Sequence, residues 1–353
     1  MKRIRVLVVE DSLTVRKHLC ELVSGDTRMQ LVGEAEDGKA AIELCARLRP
    51  DVISMDMMLP QMSGLAVTEY VMAYCPTPIL IVSSSFNRGE VFKTYEALAA
   101  GALEAMEKPA ADGIEGEWER RYLDLLALVA RVRVITHPRA RLTAARGTPE
   151  TVEPVEPVVA RHGRRPTLVA IGASTGGPRA VVEVLKRIPA DIAQPILLLI
   201  HIGEPFGASF ADWLDGQTDH RVSFAAHGQR PGRGVHMARP GHHLLLREGK
   251  LCLNDGPERH SCRPSIDVLF ESLARDPSQA VLACLLTGMG ADGAQGLLEI
   301  RRAGGLTVAQ DEATSAVYGM PREAARLGAA QHILPLPEIG PWIADQTRLE
   351  TPS

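Results

Sequence analysis

Along the first 130 residues, short unbroken apolar runs alternate with stretches in which apolar residues fall three and four apart. The runs are IRVLVV (4–9), QLVGEA (30–35), DVISM (51–55), PILIVS (78–83) and ALEAM (102–106). Continuous apolar runs of this length predict strands covered on both faces. SLTVRKHLCELV (12–23), LAVTEYVMAY (65–74) and WERRYLDLLALVARV (118–132) carry the helical spacing instead. Such alternation predicts a parallel sheet wrapped by helices. From Thr167 a second series begins: TLVAIG, PILLLIH (195–201), AVLACLLTG (280–288) and LTVAQ (306–310). Within it, GVHMARPGHHLLLREGKLCL (234–253) predicts a hairpin closed by a Glu-Gly turn. The expected fold class is α/β, with two doubly wound parallel-sheet domains at 1–125 and 166–347.

Between the two series the pattern stops. Residues 131–166 hold eight arginines, three glutamates and five prolines, with almost no periodicity. Residues 126–165 therefore read as the end of a helix and a semi-extended linker. A nucleic-acid arm is the competing reading, but no aromatics interleave the arginines.

Composition narrows the class further. A chain of 353 residues exceeds one ordinary core, and 45% hydrophobic with 23% charged residues fits soluble globular protein. Aromatics at 4% and a net charge of −4 argue against a nucleic-acid partner. The start, MKRIRVLVVEDS, is too short in its apolar run for a signal peptide, and no stretch reaches transmembrane length. No direct membrane insertion is expected. The six cysteines form no C-x-x-C pair, so reduced thiols in a cytoplasm are expected rather than a disulfide framework or zinc site.

Chemistry gathers at the predicted strand ends. Glu10 and Asp11 end the first strand, Asp56 the third and Ser83 the fourth, while Lys108 follows the fifth. In a doubly wound sheet the carboxyl ends share one edge, where ligands bind. Three carboxylates packed there repel one another unless a divalent cation sits among them, and oxygen ligands of this type suit Mg²⁺. Polar residues collect at loop ends in any protein, but five at the correct strand ends go beyond that. VVEDS, DVISMDMMLPQMSG, VSSS and EKP make residues 1–125 resemble the receiver domain of bacterial response regulators. The resemblance implies that Asp56 accepts a phosphoryl group from a histidine kinase. It also implies that Glu10, Asp11, Asp56 and the Met58 carbonyl hold Mg²⁺, and that Ser83 and Lys108 sense the phosphate. Ala105 stands where that family carries an aromatic switch residue.

In the second series, LVAIG runs into Ala173-Ser174-Thr175-Gly176-Gly177-Pro178 and then a helical pattern. The segment could be a phosphate-cradling loop, a turn with an activated nucleophile, or a tight turn with a serine cap. It satisfies neither G-x-G-x-x-G nor G-x-x-x-x-G-K-[ST], but Gly172 to Gly176 satisfies G-x-S-x-G at a strand-to-helix turn. His201 ends the next apolar strand, and Asp292 follows the third in LLTGMGADGAQG. Alone, each has a plain structural reading, as a strand-end histidine and a helix cap. Together at three strand ends, Ser174, His201 and Asp292 read as nucleophile, base and orienting carboxylate. Their chain order differs from that of α/β-hydrolases.

IGASTGGP, LIHI, CRPSIDVLF, LLTGMGADGA and AVYGMPREA make residues 167–340 resemble the catalytic domain of chemotaxis receptor methylesterases. The resemblance implies a Rossmann-like catalytic domain behind a flavodoxin-like receiver, acting on methylated chemoreceptor cytoplasmic helices. It implies the same triad, with backbone N–H groups near Thr175 and Met289 as the oxyanion hole. The reaction implied is hydrolysis of glutamate methyl esters, with receptor glutamine deamidation and no cofactor for the esterase. Two other classes fit the residues: a receiver-controlled hydrolase of another ester or amide, and a non-catalytic phosphorylation-dependent binding module.

Overall fold

The computed structural model describes residues 2–84, 88–109, 116–132, 134, 165–203 and 206–348. In the first half, β1 (Ile4–Val9), β2 (Met29–Ala35), β3 (Val52–Met55), β4 (Ile79–Ser83) and β5 (Glu104–Glu107) alternate with five helices. These are α1 (Leu13–Gly25), α2 (Gly38–Leu48), α3 (Gly64–Tyr74), α4 (Arg88–Ala100) and α5 (Glu117–Val129). The sheet is parallel throughout, in the order β2-β1-β3-β4-β5. The inner strands are covered on both faces: on β1, Leu7 and Val9 enter one core cluster while Val6 and Val8 enter another. That two-sided burial is why β1, β3 and β4 read as unbroken apolar runs. Strand order reverses between β1 and β3, which opens a crevice at their carboxyl ends. Glu10, Asp11 and Asp56 sit there.

The second half is a seven-stranded parallel sheet in the order β14-β13-β12-β6-β7-β9-β8. Its strands are β6 (Leu168–Ala173), β7 (Ile196–Ile200), β8 (Val222–Phe224), β9 (Val235–Met237), β12 (Val281–Leu285), β13 (Leu306–Gln310) and β14 (His332–Leu334). A separate antiparallel hairpin pairs β10 (His243–Arg247) with β11 (Lys250–Asn254). The helices are α6 (Gly177–Leu185), α7 (Phe210–Gln217), α8 (Ile266–Ala274), α9 (Ala294–Arg302), α10 (Met320–Arg326) and α11 (Leu336–Thr347). A turn of 3-10 helix, Phe206–Ser209, precedes α7. β6 is central, and growth runs from it to β7 on one side and β12 on the other, so the switch point lies at its carboxyl end.

The four strands anticipated in this half are present, and the structure adds three that were not. β8, β9 and β14 have three residues each, too few to show a period. The hairpin expected at 234–253 is shorter: residues 235–237 leave it to pair with β7 and β8. Its turn is at Glu248-Gly249, both at positive φ (50° and 71°), as a two-residue type I′ turn requires. Most of the linker expected at 126–165 lies outside the described residues.

The two halves pack against each other through α4. Tyr95 is fully buried, meeting Phe210 edge-on at 5.2 Å and Trp213 at 5.3 Å between ring centroids. Its hydroxyl donates to the Phe206 carbonyl. Arg88 pairs with Asp212 at 2.9 Å on the exposed rim. A fully desolvated aromatic anchor with a charged rim is the anatomy of an interface hot spot.

Candidate active site

β6 delivers the chain through Ala173 to Ser174 and then turns sharply into α6. Gly176 makes that turn at φ 75°, and a Cβ there would stand 2.5 Å from that of Ala316. Pro178 follows in the first turn of α6, where its missing N–H costs nothing. The turn is held by Ser174 N donating to the Thr287 carbonyl (3.0 Å) and Gly177 N donating to that of Ser174 (2.6 Å). Parallel register pairs Ala173 with Ile200, so Ser174 and His201 leave adjacent strands at one level. His201 N donates to the Ala173 carbonyl at 3.0 Å. Past β12, Gly288 comes so close that a Cβ would lie 2.7 Å from that of Ser174.

His201 Nε2 stands 3.0 Å from Asp292 Oδ2, out of line for a good hydrogen bond. Its Nδ1 faces Cys262 Sγ at 3.8 Å. Burial opposes charge on the imidazole, but Asp292 and Cys262 outweigh it and raise the pKa from 6.5 to about 9. Asp292 is 2% exposed. Its carboxylate accepts from Ser265 Oγ (2.8 Å), Ile266 N (2.7 Å) and Asp267 N (2.9 Å). Those N–H groups open α8, so the carboxylate also caps that helix. Burial alone would raise the Asp292 pKa, but His201 and these donors pull it below the usual carboxylate value. The capping is reciprocal. Asp267, in the first turn of α8, accepts from Gly296 N in the first turn of α9 at 2.6 Å, and α9 starts two residues after Asp292. His260 donates to the other Asp267 oxygen at 2.9 Å.

Ser174, His201 and Asp292 thus share one sheet edge as expected. The Ser174 hydroxyl makes no hydrogen bond among the described residues, so the serine–histidine bond that base catalysis needs is not made in this arrangement. Neither the Thr175 nor the Met289 N–H donates to a described residue, and Met289 is 37% exposed. Ser174, His201 and Phe206 line a cavity of about 20 Å³ together with Leu98, Glu104 and Ala105 of the first half. That volume holds about one water. Glu104 Oε2 accepts from Thr175 Oγ1 at 3.2 Å, and Leu103 O accepts from Gly176 N at 3.4 Å.

In the first half, carboxylate oxygens of Glu10, Asp11 and Asp56 lie within 4.8 Å of one another. Lys108 Nζ stands 2.9 Å from the Glu10 carboxylate and 3.1 Å from that of Asp56. Burial, then the Asp56 charge, raises the Glu10 pKa to about 7. Glu10 Oε2 and Asp56 Oδ2 face the Lys108 ammonium, while Asp56 Oδ1 is buried with neither a hydrogen bond nor an ion pair among the described residues. Three carboxylates this close, with that oxygen left over, fit a divalent cation. The Met58 carbonyl accepts no hydrogen bond from the described residues, while its side chain is 41% exposed. Ser83 is buried nearby, its hydroxyl donating to the Ser84 carbonyl at 3.3 Å.

Sequence reasoning did not find Tyr95, Glu104, Cys262, Ser265 or Asp267. Ser265 had a local signal, a serine directly before a helical run; the others become visible only when the halves and loops are assembled.

Residues 169–343 match the family model described as CheB methylesterase, and residues 6–114 match that of the response regulator receiver domain. The protein-glutamate methylesterase/protein-glutamine glutaminase 2 of Anaeromyxobacter dehalogenans is 41% identical over 347 residues, spanning 98% of this chain and 97% of the relative. The chain belongs to the CheB methylesterase family. The protein-glutamate methylesterase/protein-glutamine glutaminase 2 of Pseudomonas aeruginosa is 42% identical, spanning 97% of each chain. The solved Thermotoga maritima CheB methylesterase catalytic domain is 30% identical and spans 51% of this chain and 98% of that one, with a TM-score of 0.48. The CheB relatives align across both halves, so receiver and methylesterase occur in them in the same order.

Proposed function

We propose that this chain hydrolyses γ-methyl esters of glutamyl side chains on chemoreceptor helices, giving glutamate and methanol, and deamidates receptor glutamines by the same attack. The observation that carries the reading is the meeting of Ser174, His201 and buried Asp292 at the carboxyl edge of one sheet, in a CheB-family chain. His201 takes the proton of Ser174 as Oγ attacks the ester carbonyl, and then protonates the departing methoxide. Asp292 orients the imidazole and stabilises its charged form. The Thr175 and Met289 N–H groups meet the developing oxyanion, each contributing about 3 kcal/mol. Water, activated by His201, then cleaves the acyl-serine. Deamidation follows the same course with ammonia leaving.

In this reading residues 1–125 are a receiver, 126–165 a connecting segment and 166–347 the esterase. Asp56 accepts a phosphoryl group from a histidine kinase, and Lys108 and Ser83 move toward the added charge. Mg²⁺, held by Glu10, Asp11, Asp56 and the Met58 carbonyl, would neutralise the phosphoryl oxygens during transfer. A cleft of about 20 Å³ cannot admit a glutamyl ester, so the receiver restrains the esterase until phosphorylation loosens α4 and β5. Among the described residues no helix is long and apolar enough to cross a membrane, in keeping with action from the cytoplasm on receptor helices.

The test is methanol release by the purified full chain from a methylated receptor fragment, with and without a small phosphodonor and Mg²⁺. Release that rises with phosphodonor is expected. Turnover of generic esters alone would favour a different hydrolase, and no turnover of either would leave a binding module.

A further inference from the structure

We infer that the Thr175 hydroxyl marks the subsite for the glutamyl γ-carbonyl group, and that Glu104 of the receiver occupies this subsite as a built-in analogue of the product. The inference rests on the esterase reading above. Glu104 belongs to β5, yet its side chain lines the cleft beside Ser174 and His201. Its Oε2 accepts the Thr175 hydroxyl proton at 3.2 Å, one residue from the proposed nucleophile. Among the described residues the only other bond to its carboxyl is local, from Ala105 N to Oε1 at 3.3 Å. The product of the proposed reaction is a glutamyl carboxylate. Glu104 presents that same group, on the same length of side chain.

Chemistry separates this from a bulky plug. Burying a carboxyl among Leu98, Leu103 and Phe206 is costly, and an apolar residue would fill the space without that cost. Burial pushes the Glu104 carboxyl above its ordinary pKa. A carboxyl group, an ester and a primary amide share one feature, an oxygen on a carbonyl carbon able to accept a hydrogen bond. The Thr175 hydroxyl supplies the donor. It donates to the oxygen that gains charge as Ser174 attacks, so its loss should lower kcat/KM as well as weaken binding of the product. Because the receiver is tethered, Glu104 holds the subsite at high effective concentration without needing tight intrinsic binding.

The experiment uses the full chain, the methylated receptor fragment and N-acetyl-glutamate amide as a soluble product analogue. With phosphodonor, the analogue should compete with substrate. Thr175→Val should raise its Ki and lower kcat/KM, each about three- to tenfold, the range for one hydrogen bond. Thr175→Ser should restore both. Without phosphodonor, Glu104→Leu keeps the bulk but removes the acceptor, and should raise the basal rate several-fold; Glu104→Ala should raise it at least as much. Melting curves confirm that each variant is folded. If wild type releases methanol but Glu104→Leu stays as silent as wild type without phosphodonor, Glu104 is a plug and the inference fails. Unchanged kcat/KM and Ki in Thr175→Val overturn it equally. A wild-type chain that releases no methanol with phosphodonor present overturns the esterase reading itself.

Discussion

Replacing Asp292 should damage stability and pH dependence together, because its carboxylate serves both a helix and a histidine. Asp292→Ala removes the acceptor for Ser265 Oγ, Ile266 N and Asp267 N, at 2.7–2.9 Å, and the partner of His201 at 3.0 Å. Hydrogen bonds to a charged group are worth about 1.5–3 kcal/mol each but do not add within one network. Removing one partner of a buried charged pair costs about 3–5 kcal/mol, which we take as the total. In a domain of this size each kcal/mol moves Tm by about 2–4 °C, so a fall of roughly 6–20 °C is expected. Asp292→Asn keeps one acceptor and should lose less. The second effect concerns His201, which works as a base only when neutral. With its pKa raised to about 9, the rate should climb as pH rises toward that value. Without the Asp292 charge the limb should move down toward the ordinary 6.5. The same shift makes a stability statement of about 3 kcal/mol. The raised folded pKa gives stability fully present below pH 6.5 and lost as pH rises through about 9. Thermal melts at neutral pH and a pH profile of methanol release read both effects. An Asp292→Ala protein melting within about 2 °C of wild type would refute the helix-cap argument. An unmoved limb in Asp292→Asn would refute the electrostatic one.

Ser174→Ala should lower ester hydrolysis by about 10⁶ with no change in melting, since its hydroxyl bonds no other group among the described residues; substantial residual turnover would sink the assignment. Asp56→Ala should abolish labelling by a small phosphodonor with Mg²⁺, and label that persists would move the acceptor elsewhere. Tyr95→Ala should raise the rate without phosphodonor by up to about 30-fold, the equivalent of a hot-spot loss of 2 kcal/mol. An unchanged rate in a folded protein would show that the α4 contact does not restrain the esterase.

What could be read in the sequence follows from how each feature is encoded. Buried parallel strands such as β1 and β6 are apolar on both faces, so they announce themselves as runs, and in this fold the residue after a run stands at the ligand edge. That logic placed Glu10, Asp56, Ser174 and His201. Asp292 was placed by the glycine-rich turn after β12, but its role as the cap of α8 was not visible, since the two lie 26 residues apart. β9 has three residues and borrows its register from β7, so no local pattern marks it. Glu104 and Tyr95 sit in segments read correctly as strand and helix. Their second identity, as groups reaching into the other half, exists only after docking and has no periodic trace.

β5 is four residues long, and it spans two places with different business. Lys108, just beyond its end, bridges Glu10 and Asp56, while Glu104 at its start reaches Thr175. Three residues separate them, and side chains along a strand alternate faces with a period of two. A single inserted or deleted residue between 104 and 108 would turn one of the two side chains away from its partner. Receivers are often treated as interchangeable modules, to be cut out and grafted between output domains. For this chain a graft must preserve that three-residue interval as well as the domain boundary; a receiver with a different spacing would fold, accept a phosphoryl group and leave the esterase unaware of it.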